Sequence, residues 1–250
     1  MTDDLEHSHD RRAIRARLAR KPSTSYLRDS ILGGIDGCVT TVAVIASVAG
    51  AGLPGMIAFV LGLASLVADG FSMGVSNYQA VKSDDDARKR LRAQEHRHID
   101  VTPDGEREEV REIFRQKGFR GSTLETIVDT ITADRRLWVD TMLQEEHGLA
   151  LHGPSPLKAG LATFVVFIMV GGLPLFPFLL PWLDGDGYFM VSAMVAAGAL
   201  FAIGWVKGVV LGMPRLRAGL ETLLMGGGAA AAAFLFGVFL EPMLGDLRID

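Results

Sequence analysis

GMIAFVLGLASLVADGFSMGVSNYQAVKSDDDARKRLRAQEHRHID, residues 55–100, opens as membrane-spanning sequence and closes as charged surface, with nothing between that would stop a helix. Over residues 55–80 Asp69 is the one charged side chain, whereas from Lys82 onward charge is dense, and neither Gly nor Pro occurs after Gly74. A helix satisfies its own backbone hydrogen bonds and so can cross hydrocarbon, which takes about 20 apolar residues. The spacing therefore predicts one helix that crosses a bilayer and continues into water.

The whole chain repeats this segregation. It is 49% hydrophobic with a mean hydropathy of +0.28 despite 22% charged residues, so charge is gathered into blocks rather than spread over one globular surface. Five stretches are long and apolar enough to span: 31–51, 55–80, 158–182, 187–207 and 218–240. This predicts an all-α membrane protein with five transmembrane helices and a helical domain between the second and third. The divisions are a basic N-terminal segment (1–30), transmembrane helices 1–2 (31–81), the charged domain (82–156), transmembrane helices 3–5 (157–241) and a C-terminal tail (242–250).

Of 25 Lys and Arg residues only Arg248 falls on the face opposite the charged domain, and the loops at 52–55 and 182–188 carry none. By the positive-inside bias the N-terminus and the domain are cytoplasmic and the C-terminus lies across the membrane. The run from Arg11 to Lys21 has no short apolar core with a small-residue cleavage site, so no cleaved signal peptide is expected. Its positive charge suits anionic lipid, not nucleic acid. Cys38 is the only cysteine, which excludes an internal disulfide. Glycines at Gly33, Gly34 and Gly37, at Gly62, Gly70 and Gly74, and the run Gly226–Gly228 followed by five alanines predict close helix packing.

Within the charged domain the first helix runs to His98. Thr102 and Pro103 suit the start of the next, which carries Glu106, Glu108, Glu109 and Glu112 and stops at Gly118. Ser122 with Glu125 has the spacing of a capping box, and Asp134 suits the cap of a last helix holding Trp138 and Met142 and ending near Gly148.

Two acids stand in the first apolar half, Asp36 and Asp69. A charge at mid-membrane costs about 2.5–3.5 kcal/mol on insertion scales, so each needs a partner or a task. Asp36 either takes a cation or proton in turn or is held by Thr40 and Thr41; the first is favoured because intramembrane ionisable groups usually line pathways. Asp69 and Met73 share a helix face at i and i+4, a hard ligand beside a soft one, which suits Fe²⁺ or Mn²⁺ better than Ca²⁺ or Mg²⁺. In the charged domain Glu95 with His98, Glu106 with Glu109, and Met142 with Glu146 each point one way from a helix. Packed together they would offer six O, N and S donors to divalent iron, manganese, cobalt or zinc. The competing possibility is that the Glu-rich stretch is a solvated face paired with Arg111 and Arg115.

The acid of the first span, Ser72-Met73-Gly74, Tyr78, the Glu-rich insert and the string Trp138, Met142, Glu145, Glu146, Gly148, Leu149 together resemble the vacuolar iron transporter family, in the form of a bacterial-type member. The likeness covers nearly everything after residue 25. It implies a five-span homodimer with a path between protomers lined by Asp36 and Met73, and proton-coupled export of Fe²⁺ from the cytoplasm. It also implies a metal-collecting domain whose ligands map onto Glu95, Glu106, Glu109, Met142 and Glu146, with the metal as substrate and no cofactor. Two positions depart from the family's pattern: His98 stands where many members have Glu, and Ser76-Asn77-Tyr78 where many have Gly-Glu-Tyr, with Asp69 upstream as a replacement charge. Glu95-x-x-His98 alone is also compatible with a di-iron ferroxidase, although such bundles use two of these elements; a membrane-anchored metal sensor would leave Asp36 and Asp69 without a task. The short tails favour a prokaryotic plasma membrane.

Overall fold

The structure, a computed structural model, describes residues 8–19, 25–183 and 186–244. Arg20 and Lys21 of the basic run, and Arg248, lie outside the described residues. After a short exposed helix α1 (Arg11–Ala19) come α2 (Leu27–Gly50), α3 (Gly55–Val101), α4 (Pro103–Gln116), α5 (Gly121–Ala133), α6 (Arg135–Glu145), α7 (Pro156–Gly171), α8 (Asp186–Val210) and α9 (Arg215–Leu244), with no strand among the described residues. Among the described residues five helices are long and apolar enough to cross a membrane, in the places expected.

α3 is continuous over 47 residues. At 1.5 Å per residue it reaches about 70 Å, more than twice the ~30 Å hydrocarbon core. Its apolar half packs on α2 and α7; its charged half packs on α4 and α6 and forms one wall of a small bundle that α5 completes. α2 is the central membrane helix, touching α3, α7, α8 and α9, and it can do so because it presents glycine where neighbours cross. A Cβ on Gly37 would lie 2.5 Å from the Phe167 carbonyl oxygen, and Gly33 sits equally tight on Thr163. Gly74 of α3 and Gly160 of α7 meet the same way, a Cβ on Gly160 lying 2.7 Å from the Gly74 carbonyl oxygen.

The third span is composite: α7 ends at Gly171 and the chain continues to Leu179 as a 3₁₀ turn, because Pro174 and Pro177 cannot donate to an α-helical ladder. In α9 the glycine run does not act as one packing surface. Gly226 abuts Leu200, but Gly227 and Gly228 face open space, and the other tight glycines of α9 are Gly219 against Phe201 and Gly237 against Ser47.

Helix starts in the bundle differ from the sequence reading in two of three cases. Asp134 caps α6, accepting from the Arg136 and Leu137 amides at 2.9 and 3.3 Å. Thr102 does not cap α4: its hydroxyl donates back to the His98 carbonyl at 3.2 Å, closing α3, while Pro103 supplies the α4 start. Ser122 lies inside α5, which begins at Gly121, and Glu125 is engaged by Arg111 at 2.9 Å instead of closing a capping box. The bundle core is Ile99, Val110, Leu124, Val128, Ile131, Trp138, Val139, Met142 and Leu143.

Candidate metal centre and membrane carboxylates

One side of this bundle core is acidic. Glu95 from α3 and Glu106 from α4 are only 1% and 4% exposed, depths at which carboxylates are rare unless paired. His98, one turn beyond Glu95, places Nδ1 3.3 Å from Glu106 Oε1. Glu146 and His147 come in from the end of α6, with His147 Nε2 3.1 Å from Glu95 Oε1 and 3.7 Å from Glu146 Oε2. Two groups can each bring three ligand atoms within 4.8 Å of one another: Glu95, His98 and Glu106, and Glu95, Glu146 and His147.

Charge compensation is absent where it would be expected. Other acids of the bundle have basic partners: Arg92 with half-buried Asp140 at 2.7 Å, Arg135 with Asp100 at 2.6 Å, Lys117 with Glu145 at 2.5 Å, Arg111 with Glu108 and Glu125, Arg115 with Glu112. No Lys or Arg among the described residues pairs with Glu95, Glu106, Glu109 or Glu146. Glu95 Oε2 and Glu106 Oε2 are buried with no hydrogen-bond partner, a state that native interiors avoid. Burial, with the charges of Glu109 and Glu95 behind it, pushes the Glu106 carboxyl up to about 7, and burial also raises Glu146. A divalent cation would relieve all of these at once, since it supplies the missing positive charge and takes up the free oxygens.

The Glu-rich stretch therefore divides. Glu108 and Glu112 form the solvated, arginine-paired face, while Glu106 turns inward. Glu109 is exposed but close enough for its charge to act on Glu106 and Glu146. Met142, one turn before Glu146, is fully buried in the apolar core.

His147 was not among the residues singled out from the sequence. Gly148, at φ +63°, reverses the chain just after α6, with the Leu149 amide donating to the Leu143 carbonyl at 2.9 Å. That reversal aims His147 at Glu95, a direction that helical spacing does not give. The available signal was the imidazole lying between Glu146 and a helix-ending glycine.

In the membrane-length part, Asp36 is half-buried on α2 and has no hydrogen bond to Thr40 or Thr41, and the buried Thr41 hydroxyl oxygen has no partner. Met73 is half-buried on α3 against the apolar core, and Asp69 is exposed, accepting from the Ser65 hydroxyl. Ser65, Asp69, Ser72 and Ser76 recur at i, i+4, i+7 and i+11, a polar stripe on one face of α3. Asp29 corrects the count of two acids: α2 starts at Leu27, so Asp29 lies within it. Asn77 donates to Asp29 Oδ1 at 2.8 Å and to the Thr163 hydroxyl at 2.7 Å. The carboxylate beside Asn77 is thus Asp29, whereas Asp69 lies two turns away along α3.

Comparison with known proteins gives a consistent result. The model of the VIT family matches residues 27–238. The chain is 32% identical to vacuolar iron transporter 1 of Arabidopsis thaliana, covering 83% of both proteins. It is 30% identical to a vacuolar iron transporter of Toxoplasma gondii, covering 89% of this chain and 77% of the relative. A vacuolar iron transporter of Plasmodium berghei is 27% identical over 88% of this chain. These relatives are plant and apicomplexan and carry vacuolar names, which lends no support to a bacterial type or a plasma membrane.

Proposed function

We propose, from the premise that this chain belongs to the VIT family, that it exports divalent iron or manganese from the cytoplasm in exchange for protons. Iron transport is the activity that the relatives' names carry, which supports reading the metal as substrate and the protein as a transporter. The bundle of α4–α6 with the end of α3 collects the ion on the cytoplasmic side, through Glu95, His98, Glu106, Glu109, Met142 and Glu146. Asp36, Asp69 and Met73 form its path. The Lys and Arg bias supports this orientation, with the N-terminus inside.

The observation that carries the proposal is the continuity of α3, which bears Asp69 and Met73 in its apolar half and Glu95 and His98 in its charged half. One rigid element thus joins a collecting site to intramembrane carboxylates. A carboxylate that binds M²⁺ must first lose its proton, so Asp36 and Asp69 exchange one for the other and a proton gradient drives release. A homodimer completes the path: the stripe of Asp69, Ser72 and Ser76 is exposed on a single chain, and a second copy would keep Asp69 from lipid.

Asp36→Asn in proteoliposomes tests this. Metal-driven proton flux is expected to disappear while the bundle still binds metal; retained antiport would rule out the assignment. Oxygen uptake on adding Fe²⁺ to the purified protein would instead support the ferroxidase alternative.

A further inference from the structure

We propose that His147 is a metal ligand, closing with Glu95 and Glu146 a second ion seat beside that of Glu95, His98 and Glu106, the two seats sharing Glu95 as a bridge. This deepens the reading of the bundle as a metal-collecting domain and does not depend on transport. The two oxygens of Glu95 are already divided: Oε1 faces His147 Nε2 at 3.1 Å, and Oε2 is buried without a partner. On the other side Glu106 repeats the arrangement, with Oε1 on His98 Nδ1 at 3.3 Å and Oε2 buried and free. Each seat thus combines one imidazole with two carboxylates, and the partnerless oxygens belong to side chains more than nine-tenths buried. A buried carboxylate that served only as a hydrogen-bond acceptor for His147 would have no reason to leave its second oxygen unpaired beside a second histidine.

The donor set names the cargo class. Imidazole with carboxylate suits Fe²⁺, Co²⁺ and Zn²⁺, whereas Mg²⁺ and Ca²⁺ take oxygen alone. His147 gives this chain a second nitrogen donor in addition to His98, so its bundle favours the nitrogen-preferring end of the divalent series over Mn²⁺.

Metal-free full-length protein in detergent is titrated with Co²⁺, and bound metal is counted after desalting and followed by visible absorption. His147→Gln keeps a donor for Glu95 but removes the imidazole ligand. It is expected to lose one Co²⁺ per chain, with a changed spectrum and an unchanged melting temperature of the metal-free protein. Glu95→Gln is expected to lose both ions from the bundle. A wild-type count and spectrum in His147→Gln would show that His147 only holds Glu95 and would overturn the proposal; loss of a single ion in Glu95→Gln would overturn the bridge. Should His147→Gln fail to fold, the wild-type protein decides by diethyl pyrocarbonate labelling: Co²⁺ must shield His147 from modification, and unchanged labelling at saturating Co²⁺ refutes ligation. The two readings fail separately: failure of the transport assignment appears as retained proton flux in Asp36→Asn proteoliposomes, whereas failure of this proposal appears as a wild-type Co²⁺ count and spectrum in His147→Gln, in which Asp36 is unaltered.

Discussion

At the scale of the residue, Glu106 sets a pH dependence whose sign follows from its surroundings. Its carboxyl is raised from 4.5 to about 7, chiefly by burial and then by Glu109 and Glu95. Between those values the folded chain holds a proton that the unfolded chain has lost, so the contribution of this group to stability falls as pH rises through the interval. Melting of the metal-free protein from pH 5 to 8 should show that decline, and Glu106→Gln should flatten it. Metal must displace the same proton, so apparent Co²⁺ affinity should rise toward pH 7 and level off above it, a trend absent in the same variant. The two buried acids of this cluster, Glu95 and Glu106, were among the residues that helical spacing singled out, but that spacing did not separate buried Glu106 from Glu109, which is exposed. What was not legible depended on chain reversal or on competing partners: His147 is aimed by the turn at Gly148, Thr102 found the His98 carbonyl before the next helix, and Glu125 found Arg111. Asp134 had no such competitor on its own turn and caps α6 as its position predicts.

At the scale of the element, glycine position separates packing from propensity. Gly37 on α2 and Gly227 on α9 are both mid-helix, yet a Cβ on Gly37 meets the Phe167 backbone and one on Gly227 meets nothing within 4 Å. Gly37→Ala should force α2 and α7 apart, at a cost of about 1–3 kcal/mol, whereas Gly227→Ala should gain up to about 1 kcal/mol from helix propensity. Thermal unfolding in detergent of the two variants should move in opposite directions. The five spans were readable because apolar length alone identifies them; the 3₁₀ end of the third and the idle half of the glycine run in α9 were not, since they depend on which neighbour each residue meets. α3 itself offers a mechanical test. Ser83 lies at the junction of its apolar and charged halves, and Ser83→Pro would break the helix there at about 3 kcal/mol. If α3 works as a rigid coupling, that variant should keep its bound Co²⁺ and lose flux; undiminished flux would show that the two halves need no continuous helix.

At the scale of the whole molecule, the uneven covering of the helices indicates what a second copy would do. α2 is wrapped on several sides, while α3 leaves Met56, Val60, Val67 and Phe71 exposed together with Asp69, Ser72 and Ser76. Exposed apolar side chains are ordinary at a lipid boundary, but an exposed carboxylate with serines one and two turns away is not, because hydrocarbon offers them no partner. Val206 on α8 is exposed to a comparable degree, 47%, without polar neighbours of that kind on its own turn, which makes it a control for a lipid-facing position. In a Cys38→Ser background, Ser72→Cys and Ser76→Cys should cross-link between protomers on mild oxidation in membranes, and Val206→Cys should not. Equal cross-linking at all three positions would reflect random collision and remove the paired α3 faces from the mechanism. Selective cross-linking through the α3 stripe would place Asp69 of each copy at a shared seam. Adding Asp69→Asn to such a cross-linkable pair should then lower metal flux without lowering the cross-linking yield, since the carboxylate serves the ion while the surrounding side chains hold the seam.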